Sequence, residues 1–242
     1  MRPYYEDEWV TLYLGDCLEA AAEYWLAADV LVTDPPYGMA YQSNFAKGCP
    51  SAPIAGDTTT TARDRALELW GAERAALVFG TWRVPRPADV RQLLVWDKGA
   101  TPGMGDLSLP WGPSHEDIYA MGRTGHAGKR TGSVLRVPGL GAMSADRPDH
   151  PTPKPVPLME MLIGRTVGVV ADPFSGGGST LLAARNLGRR AVGVELEERY
   201  CEGIARRLAS APLPLHVPDP DPVPRSAPAA FDLFPTTTEE NS

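Results

Sequence analysis

Short, nearly unbroken apolar runs recur along the chain, and between them apolar positions return every three or four residues. The runs at 10–14, 30–33, 75–79, 93–96, 117–120, 167–171 and 191–194 are rich in Val, Leu and Ala, as expected of strands buried on both faces. Helical spacing occupies 18–26, 63–73, 157–164, 180–187 and 199–209. About seven strands alternating with helices predict an α/β fold: a doubly wound, mostly parallel sheet with helices on both faces. In such folds ligands sit at the carboxyl ends of strands.

Three stretches break the alternation. Residues 39–61 are rich in Gly, Pro, Ser and Thr, and a loop of that length in a compact domain is usually functional or unstructured. Residues 122–149 are rich in Gly and Arg, with one further strand predicted at 133–137. From 212 onward Pro and acidic residues dominate, a composition that does not pack a core. The organisation expected is one domain over 1–211 and a disordered tail over 212–242.

Composition changes this picture little. The 242 residues are 43% hydrophobic, enough for one full core. No apolar run reaches the roughly 20 residues needed to span a bilayer, and the start shows no apolar signal segment. Cys17, Cys49 and Cys201 are scattered without pair spacing, so neither a disulfide framework nor a metal site is expected, and a reducing cytoplasm fits. The net charge of −7 is uneven. Asp219, Asp221, Asp232, Glu239 and Glu240 face only Arg225 in the tail, whereas Arg123, Lys129, Arg130 and Arg136 form a basic cluster without an acid between them. Local field, not net charge, governs binding to a polyanion.

Two motifs carry chemistry, each directly after an apolar run. Asp34-Pro35-Pro36-Tyr37 combines a carboxylate, a carbonyl held rigid by the following proline and a flat aromatic face. An exocyclic amino group on a nucleic-acid base is a poor nucleophile because its lone pair is delocalised into the ring. Two acceptors for its N–H bonds rehybridise that lone pair, and Asp34 and the Pro35 carbonyl supply them, while stacking on Tyr37 is worth roughly 1–3 kcal/mol. A base inside a duplex must first be flipped out.

The second motif, Asp172-Pro173-Phe174-Ser175-Gly176-Gly177-Gly178-Ser179-Thr180, is a strand-to-helix bend open to close approach of a ligand. Glu195 lies about 20 residues after the first glycine, where an acid binds ribose hydroxyls in dinucleotide folds. That much fits NAD or S-adenosylmethionine; Asp172 suits the amino and sulfonium groups of the latter better than a pyrophosphate. Asp16, after the first long strand, reads either as an adenine-pocket acid or as a helix cap.

Together these residues resemble the beta-group amino-methyltransferases of DNA, over most of 10–209. Asp34–Tyr37 is similar to the family's catalytic motif and Asp172–Thr180 to its methionine-binding motif. Glu195, with Leu196 beside it, falls at the ribose acid, and Gly15-Asp16, with Cys17, at the adenine pocket. His150-Pro151-Thr152-Pro153-Lys154-Pro155 resembles the family's HPTxKP segment. The resemblance implies that Thr152 and Lys154 face the methionine carboxylate, that 39–61 closes over the flipped base, and that 122–149 reads the DNA through Arg123, Lys129, Arg130 and Arg136. It implies a Rossmann-like fold and S-adenosylmethionine-dependent methylation of adenine N6 in double-stranded DNA.

N4-cytosine is the main alternative, since the same four residues serve both amino groups; the Asp form of the motif leans to adenine. C5-cytosine chemistry needs a Pro-Cys nucleophile, and Cys49-Pro50 is reversed. Methylation of a protein glutamine resembles this scheme with Asn for Asp34. An NAD-dependent oxidoreductase leaves Asp34–Tyr37 and His150–Pro155 without a role, and a DNA-binding pseudoenzyme leaves the complete polar set without one. Further partner readings are a homodimer and a sliding clamp docking on Phe231-Asp232-Leu233-Phe234 in the tail.

Overall fold

The computed structural model describes residues 1–38, 59–99, 108–140, 148 and 150–212. Its elements run β1 (Tyr5–Glu6), β2 (Val10–Leu14), α1 (Ala22–Leu26), β3 (Val30–Thr33), α2 (Thr61–Trp70), β4 (Ala76–Gly80), β5 (Val90–Asp97), β6 (His115–Met121), β7 (Val134–Arg136), α3 (Val156–Ile163), β8 (Val170–Asp172), α4 (Ser179–Asn186), β9 (Ala191–Glu195) and α5 (Glu198–Ser210). One sheet takes all nine strands, in the order β1-β2-β9-β8-β3-β4-β6-β5-β7. β2, β9, β8, β3 and β4 are mutually parallel; β6 returns antiparallel to β4, with β5 antiparallel to it and β7 parallel to β5.

Alternation along single strands shows why both faces are covered. Val30 and Val32 of β3, with Leu77 and Phe79 of β4, join a cluster with Leu158 and Leu162 of α3, Leu181 of α4 and Ile204 and Leu208 of α5. Leu31, Ala76 and Val78 point the other way, to Trp25 of α1 and Ala66 and Trp70 of α2. Period-two side chains in a strand apolar throughout need exactly such a two-sided cover. Trp25 and Trp70 stack with centroids 6.0 Å apart, and the Arg74 guanidinium caps Trp70 at 3.6 Å while donating to the carbonyls of Leu26 and Ala28. Among the described residues no helix is long and apolar enough to cross a membrane.

The expected architecture holds, with nine strands among the described residues where about seven were predicted. One addition, β7, falls inside the predicted 133–137 stretch; the other, β1, is a two-residue pairing too short for any periodicity. The predicted helix at 18–26 is helical only over Ala22–Leu26, because Asp16 takes the Leu18 N–H and successive three-residue turns follow. The strand predicted at 167–171 starts only at Val170: Gly168 has φ +82°, and the Val169 N–H goes to the Asp29 carboxylate.

Candidate active site at the parallel strand ends

The connections place the switch in winding direction between β3 and β8. From β3 the chain proceeds through β4 toward β7, while from β8 it proceeds through β9 toward β2. The crevice outside such a switch point is where open α/β sheets bind ligands. Both motifs open onto it, since β3 runs into Asp34 and β8 ends at Asp172. The registers Val30↔Val170 and Leu31↔Ala171 make the two strands direct neighbours, and the Thr33 hydroxyl donates to Asp172 Oδ1 at 2.7 Å.

Four neighbouring strands carry an acid at this edge: Asp34 after β3, Asp172 on β8, Glu195 on β9 and Asp16 after β2. Leu14 is opposite Glu195, and the Gly15 N–H donates to the Glu195 carbonyl at 2.9 Å, so the strand adjacency that the adenine-pocket reading of Asp16 required is present. Asp16 is exposed and its Oδ1 accepts the Leu18 N–H at 2.8 Å, in a turn rather than as the cap of α1. Glu195 accepts N–H groups from Gly176 at 2.8 Å and Glu197 at 2.9 Å, tying the glycine bend to the next strand. Burial pushes its carboxyl up to about 7, against those backbone donors. Burial likewise pushes Asp172 up to about 6, against hydrogen bonds from Thr180, Thr33 and the Phe174 N–H.

The bend is shaped for backbone approach. Gly176 and Gly178 have φ of +49° and +73°, a region that L side chains rarely adopt. A Cβ at Gly178 would stand 2.9 Å from Ile204 Cγ1, and one at Gly176 would stand 3.0 Å from His150 Nε2. His150 thus lies over the bend, edge-on to Tyr200 with centroids 4.9 Å apart. Pro173, Ser175, Ser179 and Thr180 are buried around the bend, Phe174 is half-buried, and Leu196 is exposed beyond Glu195. Cys17 is buried and its thiol is pushed up to about 12, chiefly by burial; it packs rather than reacts.

At the Asp34–Tyr37 turn, Pro35 is buried, with Asp34, Pro36 and Tyr37 half-buried beside it. The Tyr37 hydroxyl donates to Asp34 Oδ1. A Cβ at Gly38 would stand 2.7 Å from the Thr59 backbone, so the two chain ends that bound 39–58 meet beside this turn. Of the predicted base-covering loop, 39–58 lies outside the described residues and its end runs into α2 at Thr61; the Phe231–Phe234 tetrapeptide and the tail from 213 also lie outside them.

Two placements differ from expectation. Lys154 does not point at the glycine bend. It is 6% exposed and its ammonium donates to Asp34 Oδ2, lies 3.3 Å from Glu116 Oε2 and sits over the Phe79 ring at 4.9 Å. A buried ammonium needs carboxylate partners, and here the nearest is Asp34, with Glu116 of β6 as the second. The segment His150–Pro155 therefore touches both halves of the site, His150 at the bend and Lys154 at Asp34, with half-buried Thr152 between them.

The basic cluster is the second. β6 runs antiparallel to β4, so its end at Met121, opposite Ala76, lies at the edge away from Asp34. The Arg123 N–H donates to the Glu73 carbonyl there, and the Lys129 carbonyl accepts from Arg165, ahead of β8. Arg130 starts the climb back to β7. Only Arg136, opposite Asp97, reaches the edge where the site lies; its side chain is 83% exposed. The periodicity of β6 was readable, but not its direction, and direction decides which loop meets the cleft.

Sequence reasoning also missed Glu116 on β6 and Lys98 after β5. Lys98 Nζ contacts Glu116 Oε1 at 2.6 Å, completing an alternating chain Asp34–Lys154–Glu116–Lys98. Burial raises the Asp34 carboxyl, opposed by Lys154. Burial acts the same way on Glu116, but Lys154 and Lys98 together hold it below its ordinary value. The available signal was a pair of adjacent acids, Glu116 and Asp117, at the start of the strand predicted at 117–120.

A glycine bend and a carboxylate turn thus share the switch point of a doubly wound, Rossmann-like sheet. The family pattern described as DNA methylase matches residues 82–207. A protein of Escherichia coli (strain K12) carrying the methylase name YubD is 30% identical over 81% of this chain and 88% of its own length. The type II methyltransferase M2.MboI of Moraxella bovis is 21% identical over 86% and 91%. Among solved structures, the M1.HpyAVI–SAM complex superposes with a TM-score of 0.59 at 21% identity, over 82% of this chain and 98% of that one. The PvuII cytosine-N4-specific DNA methyltransferase gives 0.63 at 14%, over 85% and 88%. The chain belongs to the DNA methylase family, the amino-methyltransferases that act on adenine N6 or cytosine N4 in DNA.

Proposed function

We propose that the protein transfers the methyl group of S-adenosylmethionine to the N6 amino group of adenine in double-stranded DNA, after the base is flipped out of the helix. The observation that carries this reading is the Thr33–Asp172 hydrogen bond between adjoining strands, which makes the Asp34 turn and the glycine bend two walls of one cleft. Adenine rather than cytosine is favoured by the Asp form of the motif.

The row of acids supports the cofactor. S-adenosylmethionine presents donors and positive charge along its length (adenine amino group, ribose hydroxyls, sulfonium, α-amino group), which suit Asp16, Glu195 and Asp172 in turn. A dinucleotide would set a doubly charged pyrophosphate against the same carboxylates, with Lys154 already engaged by Asp34. Pro173 to Thr180, Cys17 and Leu196 supply the walls, and Thr152 is the partner left for the methionine carboxylate. Bound there, the cofactor supplies an electrophilic methyl carbon.

The chain's own residues do the remainder. Asp34 and the Pro35 carbonyl accept the two amino N–H bonds, turning the nitrogen lone pair toward the bend, and Tyr37 stacks on the base. Alignment and electrostatics carry the rate, without a covalent intermediate. The domain spans 1–211, with the part of 39–61 ahead of α2 closing over the base and 212–242 as a separate tail, and the enzyme works in the cytoplasm.

DNA lies across the carboxyl edge of the sheet. Exposed Trp82 and Arg83 follow β4, exposed Trp111 precedes β6, and Arg136 ends β7. Aromatics among cations suit a distorted duplex with an unstacked base.

The test is methylation of plasmid DNA in vitro, followed by mass spectrometry of the nucleosides. N6-methyladenine is expected, and Asp34→Ala should lower the rate by roughly a thousandfold while the cofactor dissociation constant stays within about threefold. N4-methylcytosine as the product would overturn the adenine assignment. Loss of cofactor binding in Asp34→Ala would make Asp34 part of the cofactor pocket instead.

A further inference from the structure

In the state described here both oxygens of Asp34 are engaged: Tyr37 donates to one and Lys154 to the other. A target amino group that docks where either donor now stands displaces it. Tyr37 belongs to the same four-residue turn as Asp34. Lys154 comes from a different segment, 120 residues away in sequence, and is the separable partner. Its side chain is buried and its ammonium lies over the Phe79 ring, so release into water is not open to it.

A second acceptor stands ready. Glu116 Oε2 is buried, lies 3.3 Å from Lys154 Nζ, and receives no hydrogen bond of good geometry. The other oxygen of Glu116 is held by Lys98 at 2.6 Å, which fixes the carboxylate. The register Gly80↔Asp117 sets Glu116 just past the end of β4, beyond Phe79. An unsatisfied buried carboxylate oxygen costs stability, and a slight movement of Lys154 toward it completes the bond. We propose that Glu116 is a positioning residue for methyl transfer: it receives the Lys154 ammonium when the target amino group takes its place on Asp34.

The exchange conserves charge. Asp34 and Glu116 face the ammoniums of Lys154 and Lys98 before and after, and only the hydrogen-bond partner of Lys154 changes. With Glu116 neutral, Lys154 keeps Asp34 as its carboxylate partner and stays at the position that the amino group is to take. Cofactor binding, which uses the opposite wall of the cleft, is untouched. The inference rests on the methyl-transfer reading above.

The experiment takes the full-length chain, S-adenosylmethionine and a DNA substrate that the wild-type protein methylates. Glu116→Gln should lower kcat roughly tenfold or more, with the cofactor dissociation constant within about twofold of wild type. In a Lys154→Met background, where there is no ammonium to transfer, adding Glu116→Gln should change the single-turnover rate by less than about twofold. Should Glu116→Gln not fold, Lys98→Met, which unfastens Glu116 from its partly exposed side, carries the same expectation of reduced kcat at unchanged cofactor affinity. An unchanged kcat in an active background overturns the inference alone, as does a fall matched by equal loss of cofactor affinity, or a full additional loss on top of Lys154→Met. Absence of methyl transfer by the wild-type protein on any DNA removes the methyl-transfer reading, and this inference with it.

Discussion

Asp172 and Glu195 are acids that burial drives toward neutrality, to about 6 and about 7, yet the cofactor they are proposed to hold needs them ionised. Their two roles respond to pH in opposite directions. The folded protein holds these protons more tightly than the unfolded chain, whose carboxylates titrate near pH 4. Between roughly pH 4 and 7, stability from this source therefore declines as pH rises. Binding of a donor-rich, cationic ligand strengthens over the upper part of that range, as the carboxylates ionise. Lowering the pH from 8 to 6 should raise the cofactor dissociation constant roughly tenfold or more while the free protein unfolds at a higher temperature. Calorimetric titration and thermal unfolding at matched pH check the two halves. A flat affinity profile would mean that the two carboxylates stay ionised in the free protein. Both acids were readable as candidates from their places after apolar runs; their altered acidity was not, because it depends on what the fold packs around them.

At the scale of elements, the bend between β8 and α4 shows how a few backbone angles set a wall of the site. Gly178 combines a left-handed φ with a contact to Ile204 of α5, so α4 can begin only where a side chain is missing. Gly178→Ala adds a Cβ into both constraints and should cost about 1–3 kcal/mol, read as a lower midpoint in denaturant. A loss below about 0.5 kcal/mol would show that the bend relaxes around the new group. The glycine run and the helix after it were legible because glycine and apolar spacing are local signals. β1 and the shortened α1 were not legible, since a two-residue antiparallel pairing and the Asp16 turn leave no periodic trace.

For the whole molecule, sheet polarity decides which charges can reach DNA. Arg123 and Lys129 lie toward the amino ends of the parallel strands, whereas Trp82 and Arg136 lie at the edge bearing Asp34. Trp82→Ala and Arg136→Ala should each weaken DNA binding several-fold, about 1 kcal/mol, and Arg136→Ala should also reduce the slope of affinity against salt. Arg123→Ala and Lys129→Ala should stay within about twofold. Fluorescence anisotropy at several salt concentrations separates the two groups, and the reverse ranking would move DNA to the opposite edge.

The amino-acid sequence by itself determined the alternating elements, the two motifs and the family they mark, because apolar period, glycine and proline act over a few residues. Tertiary structure alone decided that Asp34 and Asp172 are neighbours, that Lys154 pairs with Asp34, and that most of the basic cluster faces away from the cleft. Each of these depends on strand order and direction, which arise from pairings between segments a hundred or more residues apart. No local pattern encodes the partner of such a pairing; burial across the whole sheet selects it.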